Sequence, residues 1–406
     1  MHKNLSCFQV LIIPIITLSL FAGCNQKETY ELPEHIRSEY SEEIVVHNPD
    51  QEPEYEIQIE PEQRFGDIKE NDLYIGDFTD VAVDDAGRVF IADRQASDIK
   101  VFDPDGQLVT RLGREGQGPG DFSALVDVQI NDNRLFSYDR GQQRSVIFLL
   151  DNLTYDSTIP LADNRGDYQN LDGAGLTKYH LRNDGTFLMQ FSRPEYPDDA
   201  SDWDIVNFYG HYHLSDHQGQ IKSDKLLKDT SSVSVFVPAD GRPTVDVPMD
   251  FFYGRSLTAL SNDNRIFHAW THNFLIAVYD PDGGYLHSFY YPVDAVPLTP
   301  ESTREAEISE HLTEMMPSMN LPDTWPVLES MLVDDQNRIW VSVITENKEI
   351  YQWWVLDEYG ELLARFDLPR ETEIREMKDG NLYTLKTEEE TGLQEVVRYE
   401  MDLKSK

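Results

Sequence analysis

Cysteine is almost missing from this chain. There are two in 406 residues, Cys7 and Cys24, and both precede any sequence that reads as globular. The body therefore has no disulfide framework and no thiol nucleophile. Basic residues are scarce as well: 34 Lys and Arg stand against 74 Asp and Glu, a formal charge of −40. That balance argues against nucleic acid as a partner and against an anionic membrane surface for the folded body, because phosphate recognition needs a basic face. Long apolar runs are limited to Leu5–Leu20, which Pro14 interrupts, a poor membrane span. No Gly-Lys-Ser/Thr follows a glycine-rich loop, and no serine nucleophile elbow occurs. What is left is 40% hydrophobic, enough for a core, so the acidity reads as a solvated shell rather than disorder. Multivalent calcium binding is the other reading of the charge.

The N-terminus carries an address. Lys3 precedes the apolar stretch, Ala22 and Gly23 follow it, and Cys24 comes next, the anatomy of a cleaved export signal. The run Leu20-Phe21-Ala22-Gly23-Cys24 resembles a bacterial lipobox, from which Phe21 departs. The resemblance implies a signal peptide over 1–23, lipid attachment at Cys24, and two acyl chains, enough for stable anchoring. Asn25 in place of aspartate implies the outer membrane. Gln26-Lys27-Glu28 resembles the surface-export signal of Bacteroidota lipoproteins, and the periplasmic or surface side stays open. A plain secretory signal with a soluble product is the alternative. Residues 24–54, rich in acidic and small polar side chains and lacking periodicity, read as a flexible tether.

Internal repetition decides the fold of 55–403. In Val81–Gly106 short alternating strands are punctuated by Asp84-Asp85-Ala86-Gly87 and Asp103-Pro104-Asp105-Gly106. A turn, a polar residue, an aliphatic and an aromatic recur at Gly87–Phe90, Asn133–Phe136, Gly185–Phe187, Asn264–Phe267, Asn337–Trp340 and Gly380–Tyr383. Arg88–Gly106 aligns with Arg265–Gly283 without a gap, and the second copy preserves Asp93-Arg94 as Asp139-Arg140. Six copies of a four-stranded antiparallel meander predict an all-β, six-bladed β-propeller. The sixth copy lacks a clear fourth strand, so the alternating Tyr55–Ile59 is expected to complete it and close the ring.

The stretch Asp80–Phe122 resembles an NHL repeat, through Ile91-Ala92-Asp93, Val101–Gly106 and Gly116–Phe122. The whole body resembles the six-bladed propeller lipoproteins of Bacteroidota and their relatives. That resemblance implies fold more than activity. NHL-like relatives include zinc-dependent lyases and calcium-dependent lactonases. Of the histidines, His268 and His272 sit on a strand that separates them, and His211 and His213 find no third ligand.

Function is expected on one face. Short Asp/Gly turns share one end of the blades, and the other end receives three long insertions, Met189–Asn207, Lys228–Gly254 and Pro292–Val327. Thr299-Pro300-Glu301 starts a helix in the third, with Ala306, Ile308, Leu312, Met315 and Met316 as its apolar stripe. Arg94, Arg114, Arg140, Arg144 and Arg255 map to this end and are candidates for gripping a small anionic ligand. Local pairing with Asp and Glu is the competing reading. The expected activity is therefore binding, of such a ligand or of a protein, with no cofactor, no catalytic residues and membrane contact only through the anchor. A metal-dependent hydrolase or lyase, lactonase-like, with a divalent ion such as calcium in the central channel, is the alternative. Its ligands would be Asp80, Asp127 and Glu329, all near the starts of innermost strands.

Overall fold

The computed structural model describes residues 32–39, 44–66, 74–161, 171, 174–196, 204–239, 242–305, 316–388 and 392–406. Cys24, the expected export signal and residues 306–315 of the expected helical stripe lie outside them. In chain order come α1 (Glu34–Glu39), β1 (Ile44–Val46) and β2 (Tyr55–Phe65). Blade one is β3 (Phe78–Val83), β4 (Val89–Asp93), β5 (Asp98–Phe102) and β6 (Leu108–Leu112); blade two is β7 (Leu125–Asn131), β8 (Arg134–Asp139), β9 (Arg144–Leu149) and β10 (Thr154–Pro160). Blade three has five strands: β11 (Gly175–Leu181), β12 (Phe187–Glu195), β13 (Ile205–Ser215), β14 (Leu227–Ala239) and β15 (Arg242–Pro248). After α2 (Asp250–Tyr253), blade four is β16 (Ser256–Leu260), β17 (Ile266–Trp270), β18 (Leu275–Tyr279) and β19 (Tyr285–Tyr290), with β1 added outside β19. Following α3 (Pro300–Glu305), blade five is β20 (Leu328–Val333), β21 (Ile339–Ile344), β22 (Ile350–Leu356) and β23 (Leu362–Pro369). Blade six is β24 (Glu373–Lys378), β25 (Asn381–Thr387), β26 (Gln394–Ser405) and, outermost, β2.

The expected closure is present: β2 pairs antiparallel with β26 from Tyr55↔Ser405 to Phe65↔Val396, and β24 packs on β3. Phe65 is buried between Phe102 of blade one and Tyr383 of blade six. Burying one such ring is worth about 2–3 kcal/mol, so the closing strand also cements the seam. Each other seam is filled the same way, by aliphatic and aromatic side chains from facing blades, as in the cluster of Phe90, Phe122, Leu135 and Phe148 between blades one and two.

The repeated turns hold because their carboxylates replace missing backbone partners. Asp103, Asp216, Asp280 and Asp357 each accept two amides of their own turn at 2.7–3.1 Å. Gly87, Asn264 and Asn337 take positive φ at one equivalent turn position. Neighbouring turns are also tied around the ring. Arg88 donates to Leu150 O, Asn131 to Arg182 O, the Asn183 amide to Asn264, the Asn262 amide to Asn337, the Asp379 amide to Asp335, and Lys378 to Asp85. Every one of the six seams therefore carries a side-chain hydrogen bond at this end.

Two expectations change. The segment 24–54 is not a flexible tether throughout. Its described parts are docked: Ile36 of α1 is buried against Leu275 and Tyr290, and β1 pairs in parallel with β19. His47 stacks on Tyr291 at 5.0 Å, and Arg365 donates to Pro49 O at 2.6 Å. The pairing needs only an open blade edge, which no sequence period announces. The first two insertions, likewise, are largely not loops. β12 and β13 run on to Glu195↔Asn207, and β14 and β15 form a long hairpin, so blade three is a taller sheet. Phe252 of α2, Val235 of β14 and Met249 form a separate small core with Leu298, Met316 and Trp325 of the third insertion. α3 begins as expected, with Thr299 and Ser302 exchanging side chain-to-amide hydrogen bonds at 2.8 and 3.0 Å.

Candidate functional site

Two sets of ionisable groups occupy the insertion-bearing end, and they behave differently. The first ends the second strand of blades one and two. Asp93 and Asp139 are almost fully buried. Asp93 accepts the amides of Gly76, Asp77 and Ala96 and the ammonium of buried Lys100 at 2.6 Å. Burial alone would raise its pKa, but Lys100 and these amides outweigh that and leave it lowered. Asp139 likewise accepts hydrogen bonds from Ser123, the Ala124 amide, Gln142 and Arg144. These carboxylates staple the inter-blade connection to the blade.

The candidate arginines belong mostly to this stapling. Arg94 pairs with Asp77 at 2.8 Å, Arg114 with Asp121 at 3.1 Å, Arg144 with Asp139 at 3.4 Å, and Arg255 with Glu329 at 2.6 Å. Arg140 is exposed and has no ion pair among the described residues. The five do not converge on one pocket through these contacts. The glycine-rich loop is settled in the same way: the Gly118 amide donates to Asp121 at 3.1 Å, so an internal carboxylate serves where a phosphate would sit.

The second set lies on the innermost strands. Four of these strands carry a register shift at equivalent pairs, Phe78/Asp80, Leu125/Asp127, Leu176/Lys178 and Leu328/Ser330, and blade six carries one two pairs nearer its turn, Ile374/Glu376. Such a bulge re-aims the following side chain. In the consecutive blades six, one, two and three the residue after it is Glu376, Asp80, Asp127 and Lys178, and their charges act on one another. The three carboxyls are half-buried, while Lys178 is open to solvent yet ringed by protein, as befits groups around a propeller axis.

Enclosure shapes their chemistry. It pushes Asp127 up to about 8, aided by the charge of Asp80 and opposed by Gln129 and Lys178. Glu376 is also held at about 8 by enclosure, with Asp80 adding to it. Asp80 reaches only about 6, because the Val128 amide at 3.1 Å and the charges of Arg375 and Lys178 favour its ionised form. Enclosure lowers Lys178, against the pull of Asp127 and Asp80. Two residues on, His180 is held down to about 3 by enclosure and by Lys178, and so stays neutral. Among the described residues, Asp127 Oδ1 and His180 Nε2 are enclosed without a hydrogen-bond partner, and Lys178 forms no ion pair.

The residues do not fit a metal. Asp80 and Asp127 come together as the sequence suggested, but Lys178 supplies the positive charge beside them, and Glu329 is engaged by Arg255 two blades from Asp80. Among the described residues, no three of His, Cys, Asp and Glu converge as a metal centre. His268 lies in a seam network instead, 3.1 Å from Thr258 Oγ1 and 3.4 Å from Asp229, and Thr258 in turn meets the Tyr212 hydroxyl at 2.9 Å. Burial keeps that imidazole neutral, at about 4.

Lys178, His180 and Glu376 were missed in the sequence because blades three and six carry the weakest copies of the repeat. No local signal set them apart: β24 reads EIREMK and β11 reads GLTKYHL, so each lies among other polar or charged residues of its strand.

The comparisons with known proteins concern the fold. A family model described as a 6-bladed beta-propeller, DUF5128, matches residues 70–191. The structure of a DUF4221-family member from Bacteroides vulgatus aligns with a TM-score of 0.50 at 10% identity, covering 86% of this chain and 99% of that one. A Bacteroides fragilis protein described as a candidate exported protein gives 0.47 at 12% identity, over 89% and 100% of the two chains. Virginiamycin B lyase from Staphylococcus aureus gives 0.38 at 13%, over 84% and 88%. No curated protein matches the chain in sequence. Strand order, family match and structural likeness agree that the chain is a six-bladed β-propeller built of antiparallel blades.

Proposed function

We propose that this protein is a binding propeller of the cell envelope, anchored by lipid at Cys24, and that it takes a small anionic, hydrogen-bonding ligand at the axial cluster of its insertion-rich end. The observation that carries the reading is Lys178. It is an ammonium-bearing side chain with no ion-pair partner among the described residues, beside Asp127, which like Glu376 stays largely protonated near neutral pH, and beside Asp80, which ionises at about 6. One ammonium and two O–H donors around a solvent-accessible axis suit a carboxylate or a hydroxyl-bearing anion. The unpartnered Asp127 Oδ1 and His180 Nε2 add acceptor and donor capacity at the same place. The arginines at this end, held mostly by their own carboxylates, serve as scaffold for the site.

The envelope address rests on Lys3, the Leu5–Leu20 stretch and the Leu20–Cys24 run. Labelling with palmitate should mark the wild type and not Cys24→Ala. Ligand binding is tested on the mature chain by calorimetry against a panel of sugar acids, hydroxy acids and amino acids at pH 6 and pH 8.5. Binding should be present at pH 6, weaken as Asp127 and Glu376 ionise, and vanish in Lys178→Met. A ligand that binds Lys178→Met as well as wild type would move the site elsewhere.

A further inference from the structure

The docked N-terminal segment bears on how the body sits at its membrane, and the inference rests on the anchoring proposed at Cys24. A flexible tether ending at Pro53 would let the propeller turn freely at any height. The described parts of the segment are instead fixed on blade four, through buried Ile36, the parallel pairing of β1 with β19, and buried His47. From Cys24 to Leu32 the chain can span at most about 28 Å, less than the roughly 50 Å across a compact body of this chain length. The edge on which it is fixed is also unusually apolar. Val45 of β1, Leu286 of β19 and, from the adjoining β22–β23 turn of blade five, Tyr359, which stacks on His287 of β19 at 5.5 Å, are three of the seven large hydrophobic side chains found exposed among the described residues. Val109, on the outer strand of blade one, lies across the ring from them.

We infer that the outer edge of blade four, with Val45, Leu286 and the adjoining Tyr359, is the membrane-facing surface of the anchored protein. The lipid chains and an apolar, tyrosine-bearing edge then meet one bilayer interface, where a tyrosine ring is favourably placed. The propeller lies on its side, with its axis along the membrane and the axial cluster open laterally to the surrounding compartment. A chain whose full sequence carries a formal charge of −40 is repelled by anionic lipid, so the contact is apolar and holds on neutral bilayers.

The design of the chain makes the test clean. An acylated Cys24 has no free thiol, so a single introduced cysteine is the only label site. The full lipidated protein, as Leu286→Cys or as Val109→Cys, is labelled with a fluorophore and reconstituted in phosphatidylcholine vesicles containing a headgroup acceptor. Energy transfer should be at least threefold stronger from position 286 than from 109. Thirty Gly/Ser residues inserted after Lys27 should bring the two to parity, since such a linker reaches about 30 Å on average. Equal transfer from both positions without the insertion, in protein whose thiol titration shows only the label site, would overturn the orientation. A free thiol at Cys24 would instead overturn the anchoring reading itself. Transfer that is unequal but unchanged by the insertion would place the preference in lipid contact alone and overturn the role of the short span.

Discussion

Asp93 and Asp127 are both carboxylates enclosed by protein at the same end of the propeller, one blade apart, yet they are driven in opposite directions. Asp93 is saturated by three amides and an ammonium and is held ionised. Asp127 receives one side-chain donor, keeps an oxygen unpartnered, sits beside a second carboxyl and is held protonated up to about 8. The difference separates structure from function. A buried charge fully paired by its own fold is a fastener, whereas an enclosed group left short of partners stores reactivity for something that arrives from outside.

Breaking the fastener should have the largest effect. Asp93→Ala leaves buried Lys100 with Asp98 alone and strips three amides of their acceptor, and is expected to cost roughly 3 kcal/mol, read from urea unfolding at pH 7. Asp127→Asn, by contrast, removes no saturated charge and should fall within about 1 kcal/mol of wild type. A large loss in Asp127→Asn would erase the contrast between the two carboxylates.

Acidity sharpens the same contrast because the signs differ. Asp93 has a lowered pKa in the fold, so its contribution is present above the ordinary carboxylate value near 4 and is lost as pH falls through the folded-state pKa. Asp127 and Glu376 are raised, so theirs is complete below about 4 and is lost as pH rises toward 8. The urea midpoint of Asp127→Asn, and of Glu376→Gln, should therefore gain on wild type between pH 5 and pH 8. Asp93→Asn should lose least to wild type at low pH. Parallel curves for all three would show that the axial carboxyls are not held protonated.

The smallest effects belong to the exposed arginines. Arg94→Ala breaks one surface pair and should cost less than about 1 kcal/mol. Arg140→Ala, with no ion pair among the described residues, should be indistinguishable from wild type by thermal unfolding. Their value is as controls: either one abolishing ligand binding would return the anion site to the arginine set.

Some of this was legible in the sequence and some was not. The blades were legible because each Asp-Gly turn and each aliphatic-aromatic strand is a local device, repeated clearly enough to count. The closing role of Tyr55–Ile59 followed from counting too, since one blade was a strand short. Asp80 and Asp127 were flagged from their places on innermost strands. Lys178 and Glu376 were not, because their blades keep the repeat's core pattern only loosely. The docking of Ile44–Val46 was invisible, because three residues without period carry no signal and their partner Ser288–Tyr290 lies more than 240 positions away.

By itself the sequence determined the number of blades, the way the ring closes and the turns that carry it, all of them properties of short segments. The tertiary structure alone decided which charges are spent and which are left available. Partnering depends on neighbours brought from other blades: Lys100 meets Asp93 within one sheet, while Glu376, Asp80, Asp127 and Lys178 meet only because four blades share one axis. Identical carboxyl groups become fastener or receptor according to how many donors that geometry delivers to them.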